Sequence, residues 1–299
     1  MTGNVSPVPT SLDGTERVRL ALYQGFARTG RAPSALELAA VTGQAPDQVR
    51  QELRTLHARH DVVLDPQNSD RVVMAHPFAS VPLGFSVMGA RTLWWGGCAW
   101  DSFALPHLLK DEPDVLVATR CPACDTPHAW VVGREAPPKG DQVAHFLTPM
   151  HRAWDDVVHT CANQRLFCST GCVDTWLQQT GQERGYVMNL ATLWRFASNW
   201  YTGRLDPGYT RRDPASATAY FAEVGLHGSF WGLPDQGLHP PATPLRGGRL
   251  DQDAVRILDS QLSVCKVANS TNRHNVVGWD GCSVLGGCGR VRQVSAEGS

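Results

Sequence analysis

Residues 94–103 read WWGGCAWDSF. One thiol, Cys98, stands three positions before one carboxyl, Asp101, inside a run that is otherwise mostly apolar or glycine. Ala99–Leu109 reads as a helix that follows Cys98. A cysteine at a helix start has its thiolate favoured by the free backbone N–H groups and by the helix dipole. Asp101 then sits about one turn further along, close to the same face. Trp94, Trp95, Trp100 and Phe103 make an apolar setting, which tends to raise a carboxyl pKa. The pair can therefore share one proton, with sulfur as soft nucleophile and carboxyl as proton donor. The plainer alternative is a buried cysteine in a helix whose first turn carries an aspartate.

Working outward, the preceding segment divides into helices and a hairpin. TERVRLALYQGFARTG is a helix ended by Gly30. PSALELAAVTG is a second, with Ser34 as N-cap and Gly43 as stop. APDQVRQELRTLHARH is a third, with Val49, Leu53 and Leu56 at helical spacing. VVLDPQNSDRVVMA alternates into two strands around a turn at Asp65–Asp70. Three helices and a hairpin make a winged-helix-like pattern. Its third helix carries Arg50, Arg54 and Arg59 but also Asp47 and Glu52. That near-balance argues for a structural role over DNA reading, which depends on phosphate neutralisation.

Downstream, strands and helices are mixed. DVLVATRCP, HAWVVG, DQVAHFLTP and QRLFCS read as strands, and HRAWDDVVHTC as a short helix or loop. CVDTWLQQTG, YVMNLATLWRFASNWY and SATAYFAEVGL read as helices. The expected class is α+β. The expected organisation is a disordered tail at 1–14, a winged-helix-like domain at 15–79 and a mixed-sheet catalytic domain at 80–233. A Pro/Gly linker at 234–250 and a loosely structured, cysteine-containing extension at 251–299 follow.

Composition narrows the function classes. The hydrophobic fraction is 42% and the net charge −1, so a core is available and no global field draws nucleic acid or anionic membrane. No run approaches the length of a transmembrane helix, and no secretory signal is visible at the start, so a cytoplasmic protein is expected. Nine cysteines in such a chain read as metal-binding or catalytic thiols and buried structural sulfur rather than a disulfide framework.

GGCAWDSFALPHLL (residues 96–109) resembles the first active-site segment of the organomercurial lyase (alkylmercury lyase) family, in which Cys-Ala-x-Asp opens a helix. HTCANQRLFCSTGCVDTWLQQTGQERGY (residues 159–186) resembles that family's second cysteine segment. The resemblance implies that Cys98 and Cys161 are thiolate ligands for mercury and that Asp101 carries the proton in cleavage of a carbon–mercury bond. The substrate would be a small organomercurial or related small molecule. Mercury(II) would be the bound product, passed to cellular thiols or a mercuric-ion acceptor protein. No cofactor is required, and neither nucleic acid nor membrane is an expected partner. Gly97 stands where the family can carry a bulky aromatic, which suggests a wider pocket beside the sulfur. The CPACDTPHAW insert and the extension after residue 233 depart from the minimal family pattern. Two rival readings follow: the same thiol–acid set acting on another substrate, or a thiol-based metal or redox sensor binding DNA.

The remaining cysteines form two groups. Cys121, Cys124, Cys168 and Cys172 are a candidate second soft-metal set, and His128 a substitute ligand. The spacing of Cys168 and Cys172 fits structural zinc less well than a C-x-x-C does. A turn of loose thiols is the reading the spacing favours. Cys265, His274, Cys282 and Cys288 lie in the Gly/Asn-rich extension, without a standard ligand spacing. His145, His151 and His159 read as surface or structural histidines.

Overall fold

The structure is a computed structural model that describes residue 9 and residues 11–235. The expected tail at 1–14 and linker at 234–250 fall largely outside the described residues. The extension at 251–299, with Cys265, His274, Cys282 and Cys288, lies wholly outside them.

Three helices come first: α1 (Gly14–Thr29), α2 (Ala35–Thr42) and α3 (Pro46–Ala58). Their boundaries follow capping chemistry. Gly30 takes a left-handed conformation (φ 72°) and returns its N–H to the Phe26 carbonyl. Ser34 and Glu37 satisfy each other's backbone N–H groups in a capping box. Pro46 opens α3, where its missing N–H costs nothing.

The hairpin of β1 (Val63–Asp65) and β2 (Asn68–Ala75) does not stand apart. Through β3 (Phe78–Ala79) it joins β5 (Leu93–Gly96), β4 (Ser86–Met88), β6 (Asp114–Arg120) and β7 (Pro127–Gly133). The result is one seven-stranded sheet of order β1-β2-β3-β5-β4-β6-β7. A three-stranded sheet of order β10-β8-β9 is built from β8 (Val143–Phe146), β9 (Gln164–Phe167) and β10 (Tyr186–Asn189).

Two expectations need correction. The sheets are not mixed: every strand pairing among the described residues is antiparallel. Tight turns join β1 to β2, β4 to β5 and β6 to β7, and such short connections permit only antiparallel neighbours. Nor is Tyr186–Tyr201 one helix. Tyr186–Asn189 pair with β8, and Asn189 then caps α7 (Leu190–Ser198) by accepting from the Thr192 N–H. A continuous apolar run does not distinguish strand from helix by period, and here pairing with β8 decides.

The helix α4 (Ala99–Leu108) is buried along nearly its whole length. It packs against α7, the seven-stranded sheet and β9. The helices α5 (Val157–Ala162), α6 (Thr170–Thr180) and α8 (Pro214–Glu223) complete the set. Trp100 stacks on Phe196 of α7 with ring centroids 3.9 Å apart, which fixes the α4–α7 approach.

Buried Arg19 on α1 ties the N-terminal helices to the segment after α7. It pairs with Glu16 at 2.6 Å and donates to the carbonyls of Arg204 and Asp206, both at 2.8 Å. Removing one partner of a buried charge pair strands the other. Arg19→Ala is therefore expected to lower the unfolding free energy by about 3 kcal/mol, measured by urea denaturation. A loss under about 1 kcal/mol, usual for exposed pairs, would contradict that role.

Candidate functional site

The site forms where the start of α4, the helix α5, the β2–β3 turn and the segment after α7 converge. Cys98 is the N-cap of α4, and its Sγ accepts the Asp101 backbone N–H at 3.4 Å. A serine or threonine commonly fills that position, so here sulfur does the capping. The first turn of the helix thereby fixes both Cys98 and Asp101. Their side chains are 1% and 0% exposed.

Asp101 meets a partner a hundred positions away. The Tyr201 hydroxyl donates to Asp101 Oδ1 at 2.5 Å. The other oxygen, Oδ2, is buried without a hydrogen-bond partner. It lies over Gly97, where a Cβ would meet it at 2.3 Å and the Met74 methyl at 2.7 Å. The missing side chain at 97 therefore does not widen the pocket; the carboxyl group and Met74 take up that space.

Cys161 sits on α5, 4% exposed, with its Sγ 3.4 Å from His76 Nε2. The ligand atoms of His76, Asp101 and Cys161 all lie within 4.8 Å of one another. Cys98 and Cys161 border the same cavity, and each alters the other's proton affinity. The hydrogen bond from Cys98 lowers the Cys161 thiol to about 7 against the opposing effect of burial, and the neighbouring His76 adds to the lowering. Burial, the same hydrogen bond and the nearby Asp101 push Cys98 well above the usual thiol range. The two sulfurs are therefore unequal: Cys161 is the one poised to be thiolate, and Cys98 keeps its proton. Burial tends to lower His76, but Cys161 and Asp101 outweigh it and raise it. Burial and Asp101 raise Tyr201, which stays a hydroxyl donor.

Arg204 closes the back of the site. Its guanidinium donates to the hydroxyls of Tyr23 at 2.8 Å and Tyr209 at 3.0 Å, and to the His76 carbonyl at 3.3 Å. It also lies 5.0 Å from the Tyr201 ring centroid. Burial alone would lower its pKa, but Tyr23, Tyr209 and Tyr201 raise it. Cys98, Asp101, Cys161, His76, Tyr201, Arg204 and Tyr209 border a cavity of about 90 Å³, walled also by Trp100, Trp154 and Trp200. Soft sulfur, one acid and aromatic walls suit a small, soft, electrophilic guest better than a hard cation.

The chain thus brings Cys98, Asp101 and Cys161 together. His76, Tyr201 and Arg204 were not found by sequence reasoning, and no local motif marks them. A buried arginine and a tyrosine become informative only once their partners across the chain are known.

The four other described cysteines gather elsewhere. Cys121 and Cys124 lie at the β6–β7 turn, Cys168 follows β9, and Cys172 is in the first turn of α6. All are free thiols. Hydrogen bonds from Thr126 chiefly lower Cys124, to about 6, while burial first and then Cys124 push Cys168 up to about 12. His145 is buried, accepts the Gly185 N–H at 3.0 Å through Nε2, and is lowered to about 4 by burial. His151 and His159 are exposed.

Residues 78–202 match the family model for MerB, alkylmercury lyase. The span contains both segments on which the resemblance was read, and all seven residues Cys98, Asp101, Cys161, Cys121, Cys124, Cys168 and Cys172. It excludes His76, Arg204 and the three N-terminal helices. No curated protein matches the sequence. Among solved structures, the mercury-bound form of MerB2 is similar, with a TM-score of 0.51 and 19% identity. The match covers 66% of this chain and 94% of that one. At that identity the likeness speaks for the fold alone.

Two outcomes follow from this geometry. Gly97→Ala forces a methyl group against Asp101 Oδ2 and should cost about 1–3 kcal/mol of stability by urea unfolding, the usual range for overpacking. Wild-type stability would contradict the contact. Alkylation of Cys161, followed by peptide mass mapping, should rise with pH around a midpoint near 7. In Cys98→Ala that midpoint should move upward, because the hydrogen bond favouring the thiolate is gone. An unmoved or lowered midpoint would contradict the coupling.

Proposed function

We propose that this protein cleaves the carbon–mercury bond of a small organomercurial by protonolysis. The observation that carries the reading is the meeting of Cys98, Cys161 and Asp101 in one buried cavity. The family match over residues 78–202 supports it.

The steps follow from the proton affinities and positions. The substrate arrives as an organomercury cation carried by an external thiolate. Cys161, the readier thiolate, attacks mercury and displaces that carrier. Cys98 then binds the same mercury through sulfur while its proton passes to the Asp101 carboxylate. Two sulfur donors raise electron density on the mercury-bound carbon. Asp101 delivers the proton to that carbon, the bond breaks with its electron pair going to carbon, and a hydrocarbon leaves. Mercury(II) remains on the two thiolates. One external thiol and one external thiolate remove it, restoring the Cys98 thiol and the Cys161 thiolate.

Tyr201 and Gly97 hold the carboxyl group, one by donating to Oδ1 and the other by leaving room for Oδ2. Confinement supplies proximity, since an acid fixed at the reacting carbon avoids the entropic cost of a collision. The cavity of about 90 Å³ favours a short alkyl group over an extended one.

Incubation with methylmercury and excess thiol, with headspace gas chromatography for methane, tests the reading. Wild type should release methane, and Cys98→Ser should not. Asp101→Asn should retain mercury but lose roughly 10²–10⁴-fold in rate, the usual contribution of a positioned acid. No methane from the wild type, or an undiminished rate in Asp101→Asn, would overturn it.

A further inference from the structure

The four described cysteines outside the cavity converge. The Sγ atoms of Cys121, Cys124, Cys168 and Cys172 all lie within 4.8 Å of one another. We propose that they form a structural zinc site that clips the seven-stranded sheet to the three-stranded one.

Each pair is presented by ordered backbone. In the β6–β7 turn, Cys121 donates its N–H to the Thr126 carbonyl at 2.9 Å and accepts the Asp125 N–H at 2.9 Å. Asp125 adopts a left-handed φ of 58°, which folds Cys124 back toward Cys121. On the other side, Ser169 caps α6 and accepts the Cys172 N–H at 3.4 Å. Cys168 leaves β9 just before that cap, and Cys172 returns in the first helical turn. The unusual three-residue spacing closes because a helix, not a second knuckle, carries the fourth sulfur.

The sulfurs stand as a set of four with no disulfide among them. Cys124 and Cys168, from opposite sheets, are already 3.5 Å apart. A tetrahedral zinc ion with Zn–S bonds of about 2.3 Å needs sulfurs about 3.8 Å from each other, so small movements suffice. Four thiolates in a tetrahedron select zinc among single divalent ions in ordinary supply. Loading displaces the thiol protons and changes no oxidation state.

The surroundings suit a closed site of net negative charge. His128 Nε2 lies 3.4 Å from Cys168 Sγ, in position to donate to a ligating sulfur. The buried Arg165 guanidinium donates to the carbonyl of Arg120, the residue before Cys121, at 3.4 Å. The apolar support is slight: Cys121 packs with Phe167, Val173 and Leu177 in a cluster separate from the main core. The site lies away from the main core on this small cluster, and a metal bound only by the folded chain supplies folding energy directly.

The test uses the full chain isolated under reducing conditions. Elemental analysis should find one zinc per chain in the wild type and equally in Cys98→Ser, which separates this site from the cavity. The exposed position makes Cys124→Ser a mild change, yet zinc should be lost from it. Cobalt(II) in place of zinc should give the thiolate charge-transfer and ligand-field bands of a tetrahedral S4 site. His128→Ala should weaken zinc binding roughly tenfold. A folded wild type that takes up no added zinc would overturn the proposal. So would zinc lost from Cys98→Ser but kept by Cys124→Ser, or a native Cys124–Cys168 disulfide.

Discussion

The hydrogen bond from Tyr201 to Asp101 is the constraint on which the site depends. A fully buried carboxyl group is costly unless its oxygens are satisfied or its proton retained. Here one oxygen is satisfied by a residue a hundred positions away, and the other is buried over Gly97 without a partner. That contact fixes more than one side chain. It requires α4 and α7 to meet at a set separation, which Trp100 and Phe196 provide by stacking. It requires the segment after α7 to hold its course, which Arg204 secures through Tyr23 and Tyr209. Arg19 in turn holds that segment to α1. The N-terminal helices, outside the span that matches the family model, are thus part of the support for the acid.

The two sulfurs of the cavity differ because their partners differ. Cys98 is placed next to Asp101, and Cys161 next to His76. Proton affinity is divided accordingly, with one thiol protonated and the other ready to ionise. Such a division is what a protonolysis needs: a nucleophile to capture the metal and a proton held close by for the carbon. Two equal thiolates would supply the first without the second.

Much of the local structure could be read from the chain. Ser34 with Glu37, and glycines 30 and 43, mark helix ends by chemistry that acts within a few residues. The proximity of Cys98 and Asp101 follows from their spacing at a helix start. The strand at Tyr186–Asn189 could not be read the same way, because an apolar run takes its form from what it pairs with. His76, Tyr201 and Arg204 escaped for a related reason. Each acquires meaning from a partner far along the chain: His76 from Cys161, Tyr201 from Asp101, Arg204 from Tyr23. The cluster of Cys121, Cys124, Cys168 and Cys172 was visible as a set of residues, but the spacing of its second pair argued against closure. Only the convergence of the four sulfurs, from a turn and a helix start far apart in the chain, removes that objection.

The proposed reaction requires Cys98 and Cys161 to grip one mercury atom together. Mercury X-ray absorption on the protein loaded with one equivalent of mercury(II) tests it most directly. Two sulfur neighbours at a single mercury atom are expected, with loss of that environment in Cys98→Ser and in Cys161→Ser alike. Mercury with an unchanged sulfur shell in both variants would contradict it.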